Sequence, residues 1–198
     1  MLALNLGIDL ILASGSPRRQ KMLSDLGLKF SVQSANIKEE RKKAESPADF
    51  VSRLAQEKAQ KVAIEFPTSW IVAADTDVAL DDQILGKPAD EDEAYQMLAS
   101  YSGRSHSVWS AFALICENSG QHSVQVSETI VNFTEIPDQA ILAYIKTGEP
   151  MDKAGAYGIQ GLANQFIKEI HGNFDNVVGL DLSKLVSQLF KFDLVRYV

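Results

Sequence analysis

Residues 8–13 form a short apolar run that opens directly onto Ser14-Gly15-Ser16-Pro17-Arg18-Arg19. A run this short and apolar reads as a buried strand. The serine-proline pair after it reads as a helix start. Ser16 offers a side-chain N-cap, and Pro17 fits the first helical position, where its missing N–H costs no intrahelical bond. A strand, a tight turn and a helix N-terminus in immediate succession constrain the fold strongly. They predict a β-α unit of a layered α/β protein.

The rest of the chain keeps the same alternation. Met22, Leu23 and Leu26 make one apolar stripe, and Gly27 stands where a C-terminal cap belongs. Residues 30–33 read as a short strand. Ser46-Pro47 repeats the cap-plus-proline signal ahead of a helix lined by Phe50, Val51, Leu54, Ala55 and Val62. Residues 70–74 predict an apolar strand that stops at Asp75. Asp90 starts a helix with acidic residues in its first turn, where the macrodipole favours them. Met97, Leu98 and Tyr101 face inward there, and Gly103 ends it. Residues 106–115 and 124–133 predict two long neighbouring antiparallel strands across a polar turn. Residues 137–147, 166–170 and 182–190 predict a helix closed by Gly148, a strand and a final helix. The expected architecture is a mixed α/β sheet flanked by helices, in a single domain over 1–198.

Composition narrows the function classes. The 198 residues suffice for a self-supporting core. A net charge of −7 argues against a broad basic face for a nucleic-acid polymer. The single cysteine, Cys116, excludes an internal disulfide and reads as a buried thiol at a strand end. His106, His122 and His171 lack the spacing of a zinc-protease helix. No apolar stretch reaches a membrane span, and residues 1–13 do not resemble a signal peptide. A soluble, cytoplasmic protein is expected.

Four constellations could carry chemistry. In the first, free N–H groups at the helix start favour an anion. Arg18 and Arg19 sit at the helix end where cations are least favoured. An anionic ligand would resolve that misplacement; the competing reading is a surface helix start with solvated arginines. Second, Asp75-Thr76 puts a carboxylate at a strand end, able to hold a metal or take a proton, or merely to cap a turn. Third, Glu39, Lys58 and Lys87 are isolated charges. Lys58 shares the Leu54/Ala55 side of its helix, and Lys87 projects from a Gly86-Pro88 turn. Fourth, residues 151–162 hold Gly155, Gly158 and Gly161 around Gln160. Such a segment permits close backbone approach to a flat ligand, or simply makes a structural turn. Neither GxxxxGK[ST] nor GxGxxG is present, which disfavours P-loop and dinucleotide-binding readings.

Taken in order, LILASGSPRR (10–19), RLAQEKA (53–59), AADTDVALDDQILGKP (73–88), GEPMDKAGAYGIQGL (148–162) and NVVGL (176–180) resemble the Maf family of nucleoside triphosphate pyrophosphatases. The resemblance implies an elongated, inosine-triphosphatase-like α/β fold with two lobes and a central cleft. It implies metal-dependent hydrolysis of a nucleoside triphosphate to its monophosphate and pyrophosphate. It makes Asp75 the catalytic proton acceptor and puts Ser14, Arg19, Glu39, Lys58 and Lys87 in the active site, with Ser16 beside them. A divalent cation (Mg²⁺, Mn²⁺ or Co²⁺) is expected near Glu39 and Asp75. A homodimer is also implied.

Substrate choice follows the same resemblance. Arg18, Thr76 and Gln160 match the subfamily acting on dTTP and UTP, whereas the 7-methyl-GTP subfamily usually shows Trp, Gln and Glu there. A Gln amide both donates and accepts, which suits the alternating edge of thymine or uracil. Two departures stand out. Asp77 replaces a usually apolar residue, so it could end the strand or join the metal environment. Asp82 replaces a common turn glycine. A 7-methyl-GTP pyrophosphatase, or a septum regulator acting by binding, are the competing readings.

Overall fold

The computed structural model describes residues 1–81 and 83–198; Asp82, one of the two departures, lies outside them. Among the described residues the elements run β1 (Leu2–Leu4), β2 (Leu10–Leu12), α1 (Pro17–Asp25), β3 (Ser31–Val32), α2 (Pro47–Glu65), β4 (Trp70–Leu80), β5 (Gln83–Leu85), α3 (Glu91–Tyr101), β6 (Ser105–Cys116), β7 (Gln121–Phe133), α4 (Asp138–Ile145), three 3-10 turns, β8 (Ile167–His171), α5 (Phe174–Val178), α6 (Leu182–Lys191) and β9 (Val195–Tyr197). The main sheet has the hydrogen-bonded order β3-β2-β4-β6-β7-β8, with β5 added to β4. It is mixed, as expected for this α/β class. β2 pairs parallel with β3 and β4, while β4–β5 and β7–β8 are antiparallel. The parallel pairs follow from helical crossovers through α1 and α2, since parallel neighbours need a long connection.

The chain divides into two compact units. The first comprises Met1–Asp75, Ser110–Val126 and Gly179–Val198. Its core gathers Leu10, Ile11 and Leu12 of β2 with Val51, Leu54, Ala55 and Val62 of α2 and Ile71, Val72 and Ala73 of β4, all fully or nearly buried. Both serine-proline starts behave as the sequence predicts. Ser16 accepts from the Arg19 N–H and Ser46 from the Asp49 N–H, with proline in the first turn of each helix. The terminal strands β1 and β9 pair antiparallel in a small separate sheet, which the sequence pattern did not reveal. Cys116 is a buried free thiol at the end of β6.

The second unit comprises Thr76–Trp109 and Ser127–Val178. Its centre is an aromatic cluster in which Tyr101 lies 4.4 Å from His106 and 5.5 Å from Phe133, ring centre to ring centre. The His106 Nε2 is hydrogen-bonded with the Tyr157 hydroxyl at 2.8 Å. Burial pulls this imidazole down to about 3, so it is neutral at physiological pH. The acidic first turn of α3 is present, capped by Asp90, whose side chain accepts from the Glu93 N–H.

One expectation is corrected. The strand predicted to stop at Asp75 continues to Leu80. Val78, Ala79 and Leu80 pair with β5 and are themselves buried, so the apolar run resumes beyond the polar residues. Asp75 and Asp77 therefore lie on one side of β4 and Thr76 on the other.

Candidate active site

The first unit builds a compact charge cluster from four separate elements. Lys58 lies on the buried face of α2, where i,i+4 spacing puts it above Leu54. Asp75 comes from β4 and Glu39 from the irregular segment between β3 and α2. The Lys58 Nζ lies 2.5 Å from Asp75 Oδ1 and 2.5 Å from Glu39 Oε1. Lys58 and Asp75 are 8% and 7% exposed, whereas the Glu39 side chain is 54% exposed. The cluster is thus closed at the Asp75 end and open at the Glu39 end.

The first turn of α1 adds a cation, Arg19. Ser14 is buried, and its hydroxyl accepts from the Ser16 N–H at 3.3 Å and from Arg19 Nη1 at 3.2 Å. Arg19 Nε donates to the carbonyl of Gly179 at 2.9 Å, in the NVVGL segment. The Arg19 side chain is therefore folded back and fixed at both ends of its fork, which removes the solvated-arginine reading for this residue. Arg18 and Ser16 are half-buried beside it.

These groups act on one another electrically. Burial pushes the Asp75 carboxyl above the usual carboxylate range. Lys58 and Arg19 pull it back, and the Glu39 charge pushes it further up. Burial likewise pulls the Arg19 guanidinium below its ordinary value, while Asp75 opposes that shift, Arg18 adds to it, and Glu39 opposes it. Three cations against two carboxylates leave a local positive excess in a chain whose net charge is −7. A compact polyanion fits that excess, and a buried carboxyl with a raised pKa is a better proton acceptor than an exposed one.

The donor chemistry also suits a hard divalent cation. Glu39 and Asp75 converge on a single Nζ, so their carboxylates are close neighbours with hard oxygen donors. Among the described residues, no group of three or more His, Cys, Asp or Glu is placed to hold a metal by protein ligands alone. Two carboxylates completed by substrate phosphates and water is a usual arrangement for Mg²⁺.

The second unit carries the remaining candidates. Lys87 is exposed in the turn after β5, and its neighbour Gly86 accepts from the Gly155 N–H at 3.0 Å. That bond ties the Lys87 turn to the glycine-rich segment. Gln160 is exposed within that segment and Thr76 is half-buried on β4.

The three glycines meet the structural-turn reading of this segment: each has a side chain of the protein where a Cβ would stand. The closest neighbours are the protein's own side chains. Gly155 has φ +70, and a Cβ there would meet the Tyr101 hydroxyl at 2.7 Å and Val78 at 2.8 Å. A Cβ on Gly158 would meet Lys153, and one on Gly161 would overlap the carboxylate of Glu149.

Asp77 is buried. It accepts from the following Val78 N–H at 3.1 Å, and its charge helps raise the Tyr101 phenol.

Two supporting groups escaped the sequence reading. Arg53 donates to Glu45 at 2.6 and 2.8 Å and to the Glu40 carbonyl at 2.9 Å. It thereby pins the segment that carries Glu39 to the helix that carries Lys58. The hydrogen bonds from Arg53 hold the Glu45 carboxyl at about 2. The Arg53–Glu57 pair, at i,i+4 spacing, was a visible signal that this arginine is fixed. The Glu45 contact, eight residues back across a loop, had no such signal.

The family model described as Maf-like protein matches residues 9–192. A dTTP/UTP pyrophosphatase of Desulfotalea psychrophila is 48% identical over 186 residues, covering 94% of this chain and 95% of that one. A dTTP/UTP pyrophosphatase of Symbiobacterium thermophilum is 46% identical, covering 93% and 94%. Among solved structures, a nucleoside-triphosphatase / dITP/XTP pyrophosphatase of Mycobacterium abscessus is similar over 66% of this chain and 76% of that chain, with 18% identity and a TM-score of 0.43.

Proposed function

Because the chain belongs to the Maf-like protein family, we propose that it is a nucleotide pyrophosphatase cleaving dTTP and UTP to the nucleoside monophosphate and pyrophosphate. The observation that carries this reading is the buried Asp75–Lys58 pair with Glu39 on the same ammonium, each contact 2.5 Å. The relatives named dTTP/UTP pyrophosphatase, aligned over more than nine-tenths of the chain, support the substrate.

In this reading Asp75 is the general base. It orients a water toward the α-phosphorus and takes its proton, and burial raises its pKa, which makes it a stronger base than an exposed carboxylate. A new P–O bond forms from water, the bridging P–O bond breaks, and pyrophosphate leaves with the electron pair. Arg19, held by Ser14 and Gly179, places a planar fork at the start of α1, where backbone N–H groups also face an anion. Ser14 and Ser16 line that turn. Lys58 holds Asp75 in position and stabilises charge spreading over the phosphate oxygens. Lys87 is assigned to the leaving pyrophosphate. Glu39 and Asp75 would hold Mg²⁺, Mn²⁺ or Co²⁺, whose role when bound is to neutralise phosphate charge and polarise its oxygens.

Arg18, Thr76 and Gln160 are assigned to the choice of base. The Gln160 amide offers one donor and one acceptor to the edge of thymine or uracil. The same three positions separate this reading from 7-methyl-GTP hydrolysis. Residues 1–198 are proposed to work as one domain, supported by a family match that runs through both compact units. The enzyme is placed in the cytoplasm, as a homodimer in keeping with the family resemblance, acting on single nucleotides rather than on nucleic acid or a membrane. No helix among the described residues is long and apolar enough to cross a bilayer.

The test is a panel of nucleoside triphosphates, 7-methyl-GTP included, incubated with the purified protein and each divalent cation. Monophosphate and pyrophosphate from dTTP and UTP are expected. Orthophosphate as the first product, or preferential turnover of 7-methyl-GTP, would contradict the proposal.

A further inference from the structure

Gln160 stands in a turn closed by the Gly161 N–H donating to the Gly158 carbonyl at 3.0 Å. The two ends of this turn are tied through a linked pair of side chains, Tyr144 and Glu149. At one end, the Gly158 N–H donates to the Tyr144 hydroxyl at 3.2 Å. That hydroxyl donates in turn to Glu149 Oε1 at 2.8 Å. At the other end, the Leu162 N–H donates to Glu149 Oε2 at 3.1 Å. Tyr144 is buried, with its ring edge-on to Phe166 at 5.8 Å, so the hydroxyl is delivered from a fixed platform.

The turn is shaped around this carboxylate. Gly161 packs so closely on Glu149 that any side chain at 161 would overlap it. Lys153 donates to the Glu149 carbonyl at 2.7 Å and lies against Gly158, which fixes the residue from its backbone side. Burial raises the Tyr144 phenol, and the Glu149 contact raises it further, so Tyr144 remains a donor throughout the working pH range. A carboxylate accepting from a phenol and a backbone N–H makes charge-assisted bonds, which are stronger than neutral ones. Among residues 158–162, Gln160 and Leu162 carry exposed side chains, and of the two only Gln160 has polar groups to offer a base edge.

We infer that Glu149, working with Tyr144, is a positioning residue for specificity: it holds the 158–162 turn so that the Gln160 amide meets a pyrimidine edge at a fixed height and angle. This rests on the assignment of Gln160 to base recognition. Glu149 does not itself touch the nucleotide. Its removal should therefore loosen base discrimination while leaving phosphate chemistry in place. A site that reads a base by hydrogen bonds depends on those groups being held before the ligand arrives.

The experiment is a double-mutant cycle with dTTP, UTP and GTP as substrates of the full chain. Glu149→Ala is expected to raise KM for dTTP and UTP about tenfold with kcat within about threefold, and to reduce the preference over GTP by a similar factor. Glu149→Gln, which keeps an acceptor for the Leu162 N–H, should recover most of that loss. In a Gln160→Ala background, Glu149→Ala should cost no more than about twofold further, because its target is gone. Tyr144→Phe keeps the ring and deletes one anchor, and carries the test if Glu149→Ala does not fold. It should shift KM in the same direction by less.

Wild-type kinetics for both Glu149→Ala and Tyr144→Phe would overturn the inference, as would losses that multiply in full with Gln160→Ala. If Gln160→Ala itself leaves discrimination unchanged, the Gln160 assignment fails, and this inference falls with it while the assignment of Asp75 and Lys58 stands.

Discussion

In the first unit two functional candidates are themselves buried charges: Asp75 and Lys58 are each less than a tenth exposed and pair directly. In the second unit the candidates Lys87 and Gln160 are exposed, and burial falls on the residues around them, such as Tyr144, Tyr157 and Ile159. Placing charge inside a protein demands a partner for every charge. The first unit supplies those partners by convergence from β4, α2, the start of α1 and the segment before α2. An exposed amide needs no charge partner, only a rigid mount, and the second unit supplies that with glycines and a carboxylate clasp.

The comparison predicts that substitutions in the charge cluster act mainly on kcat and those in the loop mainly on KM. The largest effect is expected for Asp75→Asn, with kcat falling about a thousandfold in steady-state assays of pyrophosphate release. Lys58→Met should follow, with kcat down about a hundredfold and a cost near 3 kcal/mol in denaturant unfolding, because it strands a buried carboxylate.

A pH profile sharpens the first unit further. The acid limb of kcat/KM reports the free enzyme's base, proposed above to be Asp75, whose carboxyl is raised by burial and further by Glu39. Removing the Glu39 charge lowers that pKa, so Glu39→Gln should move the acid limb to lower pH, whatever it does to the maximum. An acid limb that stays in place, or moves up, would break the electrostatic part of the account.

The smallest effect concerns stability at the Glu45–Arg53 clasp. Glu45 is held at about 2, below its ordinary 4.5. A depressed carboxyl contributes stability above the unfolded value and loses it as pH falls through the folded one. Glu45→Gln should therefore lower Tm by a few degrees at neutral pH. That difference should shrink as pH drops from about 4.5 toward about 2. A Tm difference independent of pH would show that the clasp does not carry charge-linked stability.

Much of the first unit was legible in the chain. Ser16-Pro17 and Ser46-Pro47 announce helices through local capping chemistry, and both are capped as the pattern requires. The inward position of Lys58 follows from spacing alone. The meeting of Lys58 with Glu39 and Asp75 does not, because it depends on how α2 lies on β4 and on a loop fixed by Arg53. The end of β4 was misplaced because Asp75 and Asp77 interrupt the apolar pattern, while pairing with β5 continues the strand regardless. β1 and β9 were missed because their partner strands lie at opposite ends of the chain. The glycines at 155, 158 and 161 were legible as a structural turn, but the particular side chains they make room for were not. Their neighbours Tyr101, Lys153 and Glu149 are brought there by tertiary packing.

The most direct test of the central claim is hydrolysis of dTTP in water enriched in oxygen-18, followed by mass analysis of both products. Attack at the α-phosphorus, with Asp75 as base, predicts one labelled oxygen in the monophosphate and none in the pyrophosphate. Label in the pyrophosphate, or release of labelled orthophosphate, would contradict the account.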